Sequence, residues 1–251
     1  MHHCMGLSGV ADADSDDDKD VATDAAAVVA SIDAVYARYI VCNPDGKVTR
    51  EGTKQVFERL DKEQTGKAER KRHKVQTKKT SNDVSEVYSP PRVTTVAEAT
   101  CSRAGWALDL TVNQDDGTPW DSSIKANQDR ARKLQEEQAP HLLIASPMSA
   151  AFSTPQNLNY DKLTAQELID KFRDAMEHLR FALELCEIQA KAGRLFLFEH
   201  PVRAKSWNLK LVKPLFKYKR VCTVDFDFCQ LGMQSGGEPV KKRTRILTNS
   251  P

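Results

Sequence analysis

The sequence has no C-x-x-C pair and no long hydrophobic run, and aromatic residues make up only 7% of its 251 positions. Its six cysteines, Cys4, Cys42, Cys101, Cys186, Cys222 and Cys229, are scattered singly. Thiols spaced this way argue against a zinc site and against a disulfide framework. They argue for reduced cysteines in an intracellular compartment, nucleus or cytoplasm. The apolar runs reach about five to eight residues, well short of the roughly 18 that span a bilayer, so no membrane partner is expected. No basic stretch followed by an apolar one opens the chain, and no secretory signal is read there. Charge of neither sign dominates the total, a formal +2, but the charges are unevenly placed.

Between Ala11 and Asp20 there are six aspartates and one lysine. Such a run repels itself and can bury little, so residues 1–24 read as an acidic disordered tail. Residues 25–62 read as a short helical hairpin. Val28, Ile32, Val35 and Tyr39 recur at helical spacing behind Asp24 as N-cap. A weaker helix covers Arg50 to Leu60, with Val56, Phe57 and Leu60 as its apolar side. Asn43-Pro44-Asp45-Gly46 between them reads as a turn. Residues 63–82 read as a basic linker, since Lys67 to Lys79 holds seven Lys or Arg and one Glu. Such a segment is a solvated tether or a contact for nucleic-acid phosphates; without interleaved aromatics it offers no base stacking.

From residue 83 to 251 the pattern changes to strands and helices in alternation. Glu86 to Pro91 reads as a first strand and its loop. Trp106 to Leu110 and His141 to Ala145 follow as strands, with a helix from Lys125 to Gln138 between them. Thr164 and Glu167 form a capping box that opens a long helix whose stripe is Leu168, Phe172, Met176, Leu179 and Leu183; Gly193 stops it. Arg194 to Glu199 is a strand, Ser206 to Leu215 a short helix, and Val221 to Phe228 another strand. Continuous rather than alternating apolar strands predict an α/β fold with a Rossmann-like, mostly parallel sheet and helices on both faces. In such sheets ligands sit beyond the carboxyl ends of the strands. The candidate site therefore combines Glu86 and Ser89, Asp109, Ser146 and Pro147, and Glu199.

Several of these segments carry a family resemblance. Ser146 to Ser153 (Ser-Pro-Met-Ser-Ala-Ala-Phe-Ser) resembles the proline–cysteine loop of the cytosine-C5 DNA methyltransferases. Glu199-His200-Pro201 resembles their Glu-Asn-Val motif, and Lys241 to Leu247 loosely resembles their late Gln-Arg-Arg motif. A closer likeness is to a methyltransferase-like module of retroelement (retrotransposon) polyproteins. Its motifs have counterparts in Glu86 to Val93, Ala107 to Thr111, Gly117 to Asp121, Ser146 to Ser153, and Glu199 to Pro201 with Ser206-Trp207. The resemblance spans Asp83 to Pro251, about two thirds of the chain.

The resemblance implies an S-adenosylmethionine-dependent methyltransferase-like protein, with nucleic acid as the substrate class. Glu86, Ser89, Asp109, Trp120, Asp121, Ser146 and Pro147 would line the cofactor site, with Asp109 on the ribose and Trp120-Asp121 at the adenine. Glu199 would be the proton-handling glutamate, and the target base would be flipped out of the stack. DNA or RNA would contact Lys67 to Lys79 and Lys241 to Arg245. The departure is at the nucleophile. Ser149, or Met148 in a register one residue earlier, stands where the thiol belongs, and a hydroxyl without a neighbouring base is a weak nucleophile. Ser89-Pro90-Pro91 also replaces the usual glycine-rich loop, and the prolines remove two backbone donors. A divergent or degenerate enzyme and a non-catalytic nucleic-acid-binding or structural module are the two expectations that result.

Overall fold

The computed structural model describes Cys42, Asn43 and residues 45–70, 80–153 and 162–251. The expected acidic tail, the expected helix from Ala25 to Ile40 and residues 71–79 of the expected linker lie outside the described residues. Around the expected turn, Asn43 accepts the Gly46 N–H at 2.9 Å and donates to the Lys47 carbonyl at 2.8 Å, pairing Cys42 with Val48.

Helix α1 spans Arg50–Arg70, and the Thr49 hydroxyl accepts the Gly52 N–H at its start. It continues well beyond Leu60, through part of the segment expected to be linker. The reason is local: Lys, Arg, Glu and Gln have high helix propensity, and charge density alone does not stop a helix. The Phe57 ring packs edge-on against Phe172 at 4.2 Å and Phe152 at 5.9 Å. Val56 and Leu60 are fully buried in the same core. Asp61, on the same helix, accepts the N–H groups of Lys210 and Leu211 at 2.8 and 3.2 Å. The core therefore crosses the boundary expected at residue 83, because a two-helix hairpin has too little apolar surface to bury alone.

The remaining elements follow in the order β1 (Val84–Val87), α2 (Val93–Ala97), β2 (Ala104–Leu108), α3 (Lys125–Gln138), β3 (Leu142–Ala145), α4 (Ala165–Lys191), β4 (Leu195–Pro201), β5 (Cys222–Asp227), β6 (Gln234–Ser235), β7 (Glu238–Pro239) and β8 (Arg243–Thr248). The main sheet has six strands in the order β2-β1-β3-β4-β8-β5. The β1–β2, β1–β3 and β3–β4 pairs are parallel, whereas β8 runs antiparallel to both β4 and β5. The fold is thus mixed α/β with a mostly parallel sheet. The reversed strand was not anticipated. The connection is a hairpin-like return: β5 leads into the small β6–β7 ribbon, which brings the chain back alongside it in the antiparallel sense. The helix expected over Ser206 to Leu215 is instead two 3-10 turns, Lys205–Asn208 and Lys213–Lys217, the second carrying Pro214 in its first turn.

The long helix α4 is opened by the expected capping box, with reciprocal Thr164 and Glu167 bonds. Its stripe of Leu168, Phe172, Met176, Leu179 and Leu183 is buried. The chain turns out of it at Gly193, whose φ of 70° is open to glycine without penalty. Leu143, Phe196, Phe198 and Leu247 point to this helix-covered side and are fully buried. Leu142, Ile144, Leu195 and Leu197 alternate with them and are only partly buried. Glu86 shares that second side, where α2 lies across β1 and β2. Between β1 and β2 a glycine is needed: a Cβ on Gly105 would press into Ser85 Oγ and approach Asn82 Cγ to 2.7 Å. Among the described residues no helix is long and apolar enough to cross a membrane.

Candidate functional site

Strand order fixes where a ligand crevice can open. The chain steps from β1 to β2 on one side and then to β3 on the other. Crossovers leaving a central strand in opposite directions part at its carboxyl end, which makes the β1/β3 edge the topological switch point. Ser146 N–H donates to the Val87 carbonyl at 3.1 Å and ties the two strand ends together there.

The residue that leaves β1 at this point is Tyr88, whose φ of 57° is costly for a bulky side chain. Its N–H is held by the Leu108 carbonyl at 2.8 Å, and its hydroxyl meets His178 Nδ1 at 3.0 Å. Burial pushes the Tyr88 phenol up, against a weaker opposing hydrogen bond to Ser122. Burial likewise lowers the proton affinity of His178, opposed by the charges of Asp121, Asp174 and Glu177. A neutral phenol and a neutral imidazole therefore face each other at neutral pH. Neither residue was assigned a role from the sequence. The signal available was a histidine two positions after Met176 on an otherwise apolar helix side.

Glu86 is buried and already occupied. Its carboxyl oxygens accept from the Ser89 hydroxyl at 2.9 Å, the Arg92 N–H at 3.1 Å, and the Thr94 N–H and hydroxyl, both at 2.7 Å. It braces the Ser-Pro-Pro loop from within, and Ser89 is spent on the same bond and on the Pro90 carbonyl. The backbone N–H groups that a phosphate would use at this turn are consumed by the protein's own carboxyl group.

Asp109 and Asp121 stand differently. Asp109 is half-buried, and among the described residues its carboxylate accepts only from the N–H and hydroxyl of Thr111, at 3.0 and 2.7 Å. Asp121 accepts from the Ser123 N–H at 2.8 Å; hydrogen bonds from Ser123, then the charge of His178, hold its carboxyl below the usual range. Neither acid forms an ion pair among the described residues. Beside them Trp120 is buried, its indole N–H has no acceptor among the described residues, and the Arg130 guanidinium lies 5.5 Å from its ring centre.

The Ser146-to-Ser153 loop follows β3. Pro147 is buried, Met148 is half exposed, and Ser149 precedes a 3-10 turn over Ala150–Phe152 without a side-chain capping bond. His200 lies beneath this loop. It is fully buried, bonded through Nδ1 to Ser206 Oγ at 2.6 Å, and packed 5.7 Å from the Phe152 ring. Its Nε2 faces the Pro147 and Met148 carbonyls without a well-formed hydrogen bond. Burial lowers its proton affinity to about 4, only partly offset by those carbonyls. Trp207 closes the arrangement, donating to the Pro201 carbonyl at 2.8 Å and packing on Phe198. The Glu-His-Pro and Ser-Trp motifs thus form an internal clamp that fixes the loop after β4 to the loop after β3.

Glu199 alternates with His200 and pairs across the sheet with Ile246, so its side chain projects to the other face. It accepts from Thr244 Oγ1 at 3.2 Å and pairs with Lys242 Nζ at 3.4 Å. None of its bonds reaches the loop carrying Ser149. The structure therefore groups Tyr88, Asp109, Trp120, Asp121, Ser146 and His178 along one edge, while Glu86 and Glu199 serve internal contacts. In the basic segment from Lys241 to Arg245, Lys242 is tied to Glu199, and Arg245 makes a two-pronged pair with Asp225 at 2.6 and 2.8 Å. Residues 71–79 of the other basic segment are not among the described ones.

No protein-family model, no curated protein and no solved structure matches this chain.

Proposed function

We propose that the edge between β1 and β3 binds S-adenosylmethionine, and that the protein is a divergent methyltransferase-like protein of the retroelement type whose substrate class is nucleic acid. The observation that carries the reading is a charge pattern. Two acids without cation partners, Asp109 and Asp121, stand at an edge where Glu86 has already taken the phosphate-binding N–H groups. That favours a ligand that is cationic and carries no phosphate, rather than a dinucleotide. S-adenosylmethionine, with a sulfonium and an ammonium group, has this chemistry and supplies an electrophilic methyl group when bound. The switch point of a doubly wound sheet is also the expected place for such a ligand.

The chain's own residues then divide the work. Asp109 and Asp121 hold hydroxyl and ammonium groups, Trp120 supplies an apolar wall, and Tyr88, kept in its strained turn, shapes the mouth. The loop carries no thiol, and His200 beneath it is neutral and committed to Ser206. Covalent activation of a cytosine ring has no nucleophile here. Methyl transfer would fall on an acceptor that is itself nucleophilic, such as an amino nitrogen. The engagement of Glu199 by Lys242 and Thr244 favours a second reading, a non-catalytic module that keeps the ligand pocket.

Calorimetry with S-adenosylmethionine is the test. Binding should be measurable, and the Asp109→Ala, Asp121→Ala double variant should weaken it by about tenfold or more. Absence of binding at about 1 mM ligand, a concentration at which even affinities near −4 kcal/mol register, removes the proposal. Transfer of labelled methyl to DNA or RNA separates the enzyme from the non-catalytic module.

A further inference from the structure

Away from the strand-end acids lies a cavity of about 400 Å³ between α1 and the 3-10 turn that follows β4. Its cationic side is Arg50, Lys54 and Lys205, and Phe57 lies at its base. Lys205 Nζ sits 5.5 Å from the centre of the Phe57 ring. Among the described residues Arg50 and Lys54 make no ion pair. Two acids also line the cavity. Asp61 has both oxygens committed to the Lys210 and Leu211 N–H groups, and Glu58 is exposed. Asn208 adds an exposed amide.

Lys205 is half-buried, and its proton affinity is lowered first by that burial and then by the nearby charge of Arg50. Three cationic side chains lining one cavity beside an aromatic floor make its local field positive, and an anion is drawn to such a field. A phosphoryl group suits the position. It can accept from guanidinium and ammonium groups together, and charge-assisted bonds of this kind are among the strongest side-chain contacts.

We infer that the cavity bounded by Arg50, Lys54 and Lys205 is a phosphate-binding pocket, occupied by a phosphoryl group of a nucleotide or of a nucleic-acid backbone. The inference stands apart from the S-adenosylmethionine reading, since the two sites share no residue and attract ligands of opposite charge.

The full chain is titrated calorimetrically with inorganic pyrophosphate and, separately, with a single-stranded DNA oligonucleotide. The expected result is binding of at least one probe, weakened about tenfold or more in the Arg50→Gln, Lys54→Gln double variant. Glu58→Gln should tighten the same binding a few-fold by removing the opposing charge. Binding of pyrophosphate alone assigns the pocket to a free phosphate compound. For the oligonucleotide, the slope of log affinity against log salt should flatten by about 0.7 for each cation removed. Thermal melting checks that the variants fold, and their S-adenosylmethionine titration should match that of the parent chain. The inference is overturned if neither probe binds at about 1 mM. It is equally overturned if a bound probe is indifferent both to the double variant and to Lys205→Gln.

Discussion

The buried His200 makes stability depend on pH in a range where few other groups change charge. Its folded-state proton affinity lies at about 4, against an ordinary 6.5, because burial disfavours the imidazolium. The unfolded chain therefore takes up a proton between these values that the folded chain refuses. Stability is complete above pH 6.5 and falls as the pH is lowered toward 4. At about 1.36 kcal/mol per pH unit this amounts to about 3 kcal/mol over the interval. In urea titrations with a slope of about 2 kcal/mol/M, the midpoint should drop by roughly 1–1.5 M between about pH 7 and about pH 4.5. His178 acts in the same direction, so the diagnostic measurement is a comparison with His200→Asn. The asparagine amide can keep the Ser206 bond but carries no charge at any of these pH values. The variant will be weaker at neutral pH because it loses ring packing, yet its midpoint should change much less with pH. If wild type and His200→Asn lose stability in parallel over this range, the histidine is not the source and the clamp assignment fails.

Two further outcomes follow from the packing. Phe57→Ala removes a ring that touches both Phe152 and Phe172, and it should cost about 3–5 kcal/mol in chemical denaturation; a loss under about 1 kcal/mol would show that α1 is peripheral rather than part of the core. Gly105→Ala forces a methyl against Ser85 and against Asn82, which Gln138 holds at 2.9 Å. Overpacking there should cost about 1–3 kcal/mol, read as a lowered melting temperature, and an unchanged melting temperature would mean that β1 and β2 separate freely.

How far the candidate site could be read in advance depended on whether an interaction is local. The Thr164 capping box is a four-residue pattern, and it appears in the structure as expected. The Leu168-to-Leu183 stripe depends only on helical period, and it is buried as expected. The strand-end position of Asp109 and of the Ser146-to-Ser153 loop also followed from apolar runs that end in polar residues, whereas Asp121 entered only through the family resemblance. By contrast, Glu86 was read as a ligand contact, because a sequence cannot show that Thr94 and Arg92 fold back onto its oxygens. Glu199 was expected beside Ser149, but strand alternation placed it on the other face, where Lys242 reaches it.

By itself, the sequence determined the alternation of strands and helices and the absence of a cysteine from the Ser146-to-Ser153 loop, since each is settled by residue type and short-range spacing. Tertiary structure decided the rest. It inserted β8 antiparallel between β4 and β5, and it extended the core through α1, because apolar surface finds whatever partner buries it. It also brought Tyr88 to His178 and set Arg50 and Lys205 around one cavity. Those pairs are about ninety and more than one hundred and fifty positions apart in the chain, and no local pattern records a meeting at that distance.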